Sequence, residues 1–288
     1  MTPLSQWPRG GPTVLRILLG AQLRRLRENR GIGRDEAGYA IRASDSKISR
    51  MELGRVSFKQ RDIDDLLTLY GVTDPAERAP LLELAREANS PGWWHRYGDV
   101  LPPWFETYLG LEEAASVVRI YESHFVPGLL QSEDYARTIA RMGQADASDA
   151  DVERHVRLQA MRQRRFAEPD APTLWAVLDE AVLRRPVGDR GVMRGQVRHL
   201  IEMAHLPNVT LQILPFAFRA STLVNSPFTI LRFAEPDLSD VVYLEQLTSA
   251  LYLDKPSDLD MYGGVMNNIS LSATGPGETM RFLMSLLA

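Results

Sequence analysis

Three closely spaced polar and basic residues could read the edges of nucleic-acid bases. Ser46, Lys47 and Arg50 fall on the outer surface of a predicted helix. Its inner surface is formed by Ile48 and Met51, which lie three positions apart. Lysine or arginine directed at guanine is the commonest specific contact in the major groove of DNA, and serine can bond to either kind of base edge. The sequence therefore predicts that Ser46, Lys47 and Arg50 read bases.

A second group of residues is placed to bind the phosphates of a nucleic-acid backbone. They lie at predicted helix starts and in the loop that follows the base-reading helix, where hydroxyls, cations and backbone N–H groups can meet phosphate oxygens. Phosphate contacts fix the register of a protein on DNA, whereas base contacts carry the sequence information. The predicted phosphate-binding residues are Arg34, Ser44, Ser49, Arg55, Lys59 and Arg61.

Two carboxylates in the same segment need a different explanation. Asp45 could accept a hydrogen bond from cytosine, but a residue of its type at this place more often caps the helix. Glu52 lies beside the inner surface of the helix, and we expect it to pair with an arginine of the preceding long helix, either Arg24 or Arg27. The role of Glu52 would then be structural.

The elements that must position these residues are two short helices joined by a tight turn. Ala37, Ala40 and Ile41 give the first helix its buried face. Residues 42–44 make the turn, and Gly54 ends the second helix. A polar and basic helix face held on a compact apolar scaffold is what the major groove accepts. A plain helical bundle with a charged face would explain the amphipathic helices but not this spacing.

Charge is distributed unevenly along the 288 residues. Residues 1–61 contain thirteen Arg and Lys and five Asp and Glu, a balance of +8, whereas residues 62–288 have a balance of −12. The positive charge is therefore concentrated around the predicted helix-turn-helix, as phosphate binding requires. The acidic remainder argues against a protein that coats nucleic acid along its whole length.

The composition excludes several classes of protein. The chain has no cysteine, which removes disulfides, thiol catalysis and thiolate metal sites. No run of about 18 apolar residues could span a membrane. The N-terminus has no apolar signal core, so we expect no export by that route. These features predict a cytoplasmic protein.

No residues stand out as a metal site or a catalytic centre. The five histidines fall at no spacing typical of metal ligands. Nucleophile-elbow, phosphate-loop and dinucleotide-binding patterns are missing, and no pair of carboxylates suggests an acid–base couple. The sequence therefore predicts no cofactor, no metal and no enzymatic activity.

Four regions are predicted along the chain. Prolines and a Gly-Gly pair indicate a flexible arm over residues 1–13. Apolar periodicity predicts five short helices around one small core, which make an all-α helix-turn-helix domain over residues 14–89. An aromatic-rich linker over residues 90–110 leads to a larger α+β domain over residues 111–288.

The C-terminal domain is predicted to contain a mainly antiparallel sheet. Its first half, from Glu112, is predicted to be helical up to a strand over residues 173–178 that leads into a further helix. Turn residues then separate four strand-like runs at intervals typical of an antiparallel meander. These runs are residues 209–216, 228–233, 241–247 and 250–253.

Two places in the C-terminal domain could hold a ligand or a partner. Arg157 and Arg164 belong to a basic helix predicted over residues 151–166, which either contacts nucleic acid or an acidic partner, or is a solvated face. Tyr243 and Glu245 alternate with apolar residues on a predicted strand, so they share one face of it. That face could line a pocket or be exposed to solvent.

A third candidate follows directly after the strand predicted over residues 173–178. It contains Glu180, Arg184 and Arg185. A carboxylate followed four residues later by an arginine usually makes an i,i+4 pair on a helix. A pocket for a polar ligand is the alternative.

The residues of the predicted motif resemble the XRE (Cro/repressor-type) helix-turn-helix domain over LRRLRENRGIGRDEAGYAIRASDSKISRMELGR. From residue 91 onward the chain is similar to the actinomycete WhiJ-like regulators in PGWWHRYGDVLPPWFETYLGLEEAAS, FVPGLLQSEDYAR, VLDEAVLRRPVG, LQILPF and VVYLEQLTSALYLDKP. The resemblance implies DNA binding by the N-terminal domain. It also implies an antitoxin-like C-terminal domain whose partner is a small protein encoded by a neighbouring gene.

The sequence departs from this family at several positions of the motif. Ile32 and Gly33 stand where the family has a Leu-Ser helix start, and Arg42 replaces the common glycine of the turn. Gly38 occupies a helix position usually held by alanine, where glycine should cost about 1 kcal/mol. These departures affect the docking angle on DNA rather than the class of domain.

Together these observations predict a sequence-specific DNA-binding transcriptional regulator. One short recognition helix reads only a few base pairs, so we expect a homodimer on half-sites about 34 Å apart. The C-terminal domain would bind the small partner protein. The alternative is a domain that binds a metabolite and thereby changes the affinity for DNA.

Overall fold

The computed structural model of the chain describes residues 11–144, 146–168, 170–217, 226–236 and 238–288. These residues form two compact units. The first unit contains the chain up to Arg96, with Glu106–Ala114 and Ala234–Leu238. The second unit contains Tyr97–Phe105, Ala115–Phe233 and Ser239–Ala288.

The five predicted helices of the N-terminal domain are confirmed. They are α1 (Pro12–Asn29), α2 (Arg34–Ala40), α3 (Asp45–Glu52), α4 (Gln60–Leu69) and α5 (Pro75–Ala88). Proline at the first turn of α1 and of α5 costs no hydrogen bond there. Of the flexible arm predicted over residues 1–13, residues 1–10 lie outside the described residues. Pro12 and Thr13 instead belong to α1, where Thr13 is buried.

One apolar core holds these helices together. Leu15, Leu19 and Leu23 recur every four residues on α1, so they share one side of that helix. They belong to the same buried cluster as Ile48 and Met51 of α3. Each large aliphatic side chain buried here contributes about 1.5–3 kcal/mol relative to leaving it exposed. The core therefore fixes the side of α3 that faces inward.

The segment predicted as a linker over residues 90–110 is structured. It contains a 3₁₀ helix, Trp93–Tyr97, and the start of α6 (Pro103–Ala114). Trp94 is almost completely buried and, with Thr13 of α1, lies against Gly110 of α6. A large indole in contact with two helices explains why Glu106–Ala114 belongs to the first unit.

The second unit is built on a six-stranded sheet with strand order β3-β2-β1-β4-β5-β6. Its strands are β1 (Val117–Glu122), β2 (Thr173–Asp179), β3 (Val209–Leu214), β4 (Phe228–Arg232), β5 (Val241–Glu245) and β6 (Ala250–Leu253). Its other helices are α7 (Glu133–Gly143), α8 (Asp149–Arg164), α9 (Glu180–Arg184), α10 (Arg190–Met203), α11 (Pro256–Ser272) and α12 (Pro276–Ser285).

The prediction of a mainly antiparallel sheet is wrong, because the sheet is mixed. β1, β2 and β3 run parallel to one another, and only β4, β5 and β6 form the predicted antiparallel meander next to β1. Parallel neighbours need long crossover connections. Here α7 and α8 connect β1 to β2, and α9 and α10 connect β2 to β3.

The prediction of helix after Glu112 is also wrong at β1. This strand lies in the middle of the sheet, paired with β2 on one side and β4 on the other. Its two valines, isoleucine and tyrosine are then covered on both faces, which gives no clear alternation of apolar and polar residues. A short run of this kind cannot be told from a buried helix by its period.

Alternate residues of the sheet pack on α11. Tyr121, Val242 and Leu244 share a buried cluster with Met266 and Ile269 of that helix. Neighbouring positions on a strand point to opposite faces. The other face of β5 therefore carries Tyr243 and Glu245, and the prediction that these two side chains share a face is confirmed.

Within the described ranges, no helix combines the length and the apolar character needed to cross a membrane.

Candidate nucleic-acid interface

The turn between α2 and α3 is tight and fully hydrogen-bonded. Arg42 adopts a φ of 55°, in the left-handed region that glycine usually occupies. The N–H of Ala43 donates to the carbonyl oxygen of Gly38 at 2.8 Å. Ser44 is the N-cap of α3, and its hydroxyl accepts from the N–H of Lys47 at 3.2 Å. The left-handed Arg42, one backbone hydrogen bond and one side-chain hydrogen bond thus set the angle at which α3 leaves α2.

Gly38 is where α2 and the turn approach each other most closely. A Cβ atom at this position would lie 2.7 Å from the carbonyl oxygen of Ala43 and 3.1 Å from the carbonyl carbon of Ser44. Both neighbours are backbone atoms, which cannot rotate away as a side chain can. The glycine that costs helix stability in isolation is therefore required by the packing of the turn.

The predicted pairing of Glu52 with the first helix is confirmed, and the partner is Arg27. The Nε and Nη2 atoms of Arg27 donate to the two carboxylate oxygens of Glu52 at 2.5 and 3.0 Å, and both side chains are buried. Arg27 also donates to the carbonyl oxygen of Ile32 at 2.8 Å. Arg24 pairs instead with Glu28 on the surface of α1. This bidentate ion pair connects the end of α3 to α1.

The exposed face of α3 carries two of the three predicted base-reading residues. Ser46 and Arg50 lie one turn apart, and the Nε atom of Arg50 is 3.4 Å from the carbonyl oxygen of Ser46. Asp45 is exposed beside them, and its carboxylate accepts from the N–H of Ser46 at 2.7 Å. Ser44 rather than Asp45 is the cap, although Asp45 also satisfies an amide of the first turn.

Lys47 has a different environment from Ser46 and Arg50. Its ammonium group donates to the Asp62 carboxylate at 2.6 Å, and the side chain of Asp62 is only 2% exposed. Asp62 lies in the first turn of α4. An ammonium held in this way connects α3 to α4, and moving it to a base would leave a buried carboxylate without its main counter-charge.

The predicted phosphate-binding residues lie at the ends of α2, α3 and α4, except Ser49, which lies within α3. Arg55, Lys59 and Arg61 are exposed, and no described residue forms an ion pair with Arg55 or Lys59. Arg61 is 3.9 Å from Asp62. The other three predicted residues are partly engaged: Ser44 caps α3, Ser49 is half-buried, and Arg34 lies 3.4 Å from Glu52.

Two exposed residues beside the turn were not predicted as contacts. Tyr39, near the end of α2, is 87% exposed, which is unusual for so large a side chain. Arg42 presents its guanidinium from the turn itself. The spacing of Ala37 and Ile41, which are both buried, could have placed Tyr39 on the outer side of α2.

The predicted pair on α9 is confirmed. The Nε atom of Arg184 donates to Glu180 at 3.1 Å, one turn away. The second carboxylate oxygen of Glu180 accepts from the N–H of Phe216 at 3.0 Å. Arg185 is exposed. Glu180 therefore holds the loop after β3 against α9 and is not free to contact a ligand.

The face of β5 opposite α11 is largely buried rather than open to solvent. Tyr243 is 5% exposed and packs on Tyr252 with ring centroids 5.2 Å apart. Glu245 is exposed at the strand end, where partial desolvation raises its pKa and the nearby Tyr243, Arg162 and Trp104 side chains oppose the shift. The structure thus favours a packed face over a solvated one.

A second carboxylate ends β1 near Glu245. Loss of hydration raises the pKa of Glu122 to about 8, and the charge of Glu245 adds to the shift. Backbone N–H groups of Ser123 and His124 oppose it. The carboxyl ends of β1 and β5 lie at the same end of the sheet, with β4 between the two strands. Like charges so placed favour the protonated form of Glu122 at neutral pH.

The arginines of α8 do not form one uniform face. Arg157 and Arg164 are exposed, as a partner surface would require. Arg154 forms an ion pair with Asp99, and Arg162 is buried, where it donates to Gln159 at 2.6 Å. Only part of this basic helix is therefore available to another molecule.

Among the residues that the structure describes, no group of three or more His, Asp or Glu side chains could hold a metal ion.

Comparison with known proteins gives two matches, one for each part of the chain. Residues 18–81 match the family model described as "Helix-turn-helix domain", which spans most of α1 to α5. Residues 105–285 match the model described as "Domain of unknown function (DUF5753)". The curated proteins give no match, and neither do the solved structures. The second model covers more than half of the sequence, so the chain belongs to the DUF5753 family and carries a helix-turn-helix domain ahead of the domain that defines it.

Proposed function

We propose that this chain is a sequence-specific DNA-binding transcriptional regulator of the XRE type, acting in the cytoplasm. The observation that carries the proposal is the exposed face of α3. Ser46 and Arg50 project from a helix whose opposite side is anchored by Ile48, Met51 and the Glu52–Arg27 pair. A rigid helix with a polar and basic outer face has the form that the major groove admits.

The distribution of charge supports this role. The balance of +8 over residues 1–61 includes the exposed Arg42, Arg55, Lys59 and Arg61, which surround α3 on both sides. Exposed cations at such positions attract phosphates and make binding sensitive to salt. The phosphate-binding residues would fix the register of α3, and Ser46 and Arg50 would read the sequence.

A homodimer is part of the proposal. α3 has eight residues, about 12 Å of helix, and can contact only a few base pairs. Two copies on half-sites one helical turn apart, about 34 Å, would supply the missing specificity.

For the C-terminal domain we propose binding of a small partner protein, as in the WhiJ-like regulators that the sequence resembles. Arg157 and Arg164 are exposed on α8 and suit an acidic partner. The second candidate is a sensor of a small molecule, which is favoured by a cavity beside α10. In the first candidate role a partner protein changes the affinity of the chain for DNA, and in the second a metabolite does.

The test is binding of the full chain to a duplex that carries its own upstream region. Affinity is measured at two salt concentrations against a random duplex, with and without the small protein encoded next to it. Salt-sensitive binding that prefers the upstream region supports the regulator, and a change caused by the small protein supports the partner role. Equal affinity for both duplexes under every condition would contradict sequence-specific binding.

A further inference from the structure

A cavity of about 560 Å³ lies between α9, α10 and the residues after α12. Its apolar wall is made by Leu183 of α9, Met193 and Val197 of α10, and Leu286. Sites for small molecules have volumes of about 300–1,000 Å³, mostly apolar walls and a few polar groups that orient the ligand. The size and the apolar wall both fall within that description.

Three arginines complete the lining. Arg190 and Arg194 lie one turn apart on α10, and Arg184 lies on α9. No described residue forms an ion pair with Arg190 or Arg194. Arg184 is oriented by Glu180 at 3.1 Å and by the ring of Phe282, whose centroid is 5.4 Å from its Cζ atom. One guanidinium is thus held in place, and two have no counter-charge.

Among the described residues of the lining, the only acidic side chain is already occupied. Asp189 is the N-cap of α10, and its carboxylate accepts from the N–H of Val192 at 2.9 Å. It therefore compensates the start of the helix rather than the arginines. The cavity keeps a surplus of positive charge, although residues 62–288 as a whole are strongly acidic.

Like charges one turn apart on a helix are unfavourable in the absence of a counter-ion. Arginine guanidinium groups bind carboxylate, phosphate and sulfonate oxygens in a forked geometry. Leu183, Met193 and Val197 offer no partner to a purely hydrophilic ion. The ligand that satisfies both parts of the lining has an anionic head and an apolar body.

We propose that this cavity binds a small amphipathic anion. The head contacts Arg190 and Arg194, and the apolar body lies on Leu183, Met193 and Val197. Binding at this site does not require that the chain bind DNA, so it is tested without DNA.

Three probes separate the contributions of head and body: decanoate, decanol and inorganic phosphate. Titration calorimetry on the full chain should give decanoate at least tenfold higher affinity than decanol or phosphate. Raising NaCl from 50 to 500 mM should weaken decanoate binding several-fold but leave decanol binding unchanged, because only the charged head is screened. No binding of decanoate, or equal binding of decanoate and decanol, would overturn the proposal.

A pair of variants locates the site. The double variant Arg190→Gln, Arg194→Gln should lose at least tenfold in decanoate affinity. Arg198→Gln, at an exposed arginine of the same helix outside the lining, should stay within twofold of the original chain. Melting temperatures of both variants check the fold. Equal losses in the two variants, or no loss in the double variant, would place the anion elsewhere and contradict the proposal.

Discussion

Two basic side chains on the same helix have different roles because their surroundings differ. Among the described residues, the side chain of Arg50 hydrogen-bonds only to the carbonyl oxygen of Ser46 in its own helix, at 3.4 Å, and it is exposed. Lys47 is held at 2.6 Å by Asp62, a residue of the next helix. A guanidinium on the surface can turn towards a base at little cost, whereas an ammonium in a buried pair cannot.

Replacing Arg50 should therefore reduce sequence recognition. Arg50→Ala is expected to weaken binding to the preferred duplex by about 1–3 kcal/mol and to relax sequence preference, because a contact to two atoms of guanine is lost. Lys59→Ala is the matched comparison. It should weaken binding to all sequences alike and lower the salt slope by about one unit. Fluorescence anisotropy with preferred and random duplexes at several salt concentrations distinguishes the two patterns.

Replacing Lys47 should reduce stability. Lys47→Met keeps the aliphatic stem but leaves the buried Asp62 carboxylate without its closest cation. We expect the free energy of unfolding to fall by about 1–3 kcal/mol. Ser46→Ala, at an exposed neighbour, should leave stability within about 0.5 kcal/mol. Urea unfolding measures both. Lys47→Met with unchanged stability would mean that the ammonium is free to leave Asp62 for DNA.

At the scale of elements, the α2–turn–α3 unit depends on backbone contact more than on helix propensity. A Cβ atom on Gly38 would lie only 2.7 Å from the carbonyl oxygen of Ala43. The left-handed Gly54, with a φ of 65°, ends α3 against α1, since a Cβ there would lie 2.7 Å from the Cα atom of Ile17. Both glycines shorten the distance between chain segments and so hold α3 at one angle.

Gly38→Ala tests this argument because propensity and packing predict opposite signs. Helix propensity alone predicts a gain of about 1 kcal/mol. The clash with the turn predicts a loss of about 1–3 kcal/mol, as for other overpacked sites. Gly195→Ala is the control, since a Cβ at that position of α10 meets nothing within 4 Å and should stabilise by about 0.5–1 kcal/mol. Stabilisation by both substitutions would show that the turn can relax.

The elements that were predicted correctly are those specified by nearby residues. The capping Ser44, the apolar spacing on α3 and the terminal Gly54 all act within one or two turns, so the helix-turn-helix was predictable. The partner of Glu52 lies 25 residues away on α1, so the sequence narrowed the choice to two arginines without deciding between them. Contacts that depend on the packing of separate helices, such as Lys47 with Asp62, have no local signal.

The sheet shows the same limit at longer range. Strands β2 to β6 were recognised from their composition, but strand order depends on which segments pair across the chain. The central β1 was missed because both of its faces are covered. The parallel position of β3 beside β2 follows from the intervening helices, which bring the chain back to the same end of the sheet.

At the scale of the whole molecule, acidic and basic charge are separated along the chain. The positive part surrounds α3, while the acidic part contains the sheet. In that sheet Glu122 ends β1 and Glu245 ends β5, with β4 between the two strands. Loss of hydration, and to a smaller extent the charge of Glu245, makes ionisation of Glu122 unfavourable. This arrangement leads to a dependence of folding stability on pH.

Glu122 should destabilise the fold as the pH rises above neutrality. Its pKa of about 8 in the folded chain exceeds the ordinary value of 4.5, so between these values the folded state holds a proton that the unfolded state has lost. Stability is then greatest below the unfolded pKa and is lost as the pH rises through about 8. From pH 7 to pH 9 we expect the free energy of unfolding to fall by about 1 kcal/mol, given that Glu122 is partly exposed.

Urea unfolding at pH 7 and pH 9 measures this loss. Glu122→Gln cannot ionise, so the variant should lose less stability over that range and exceed the original chain at pH 9. Glu202→Gln removes a carboxylate whose side chain is 77% exposed and should keep the original dependence. If Glu122→Gln and the original chain lose stability equally, Glu122 is already ionised at pH 7. The negative charge at this end of the sheet then does not oppose the ionisation of Glu122.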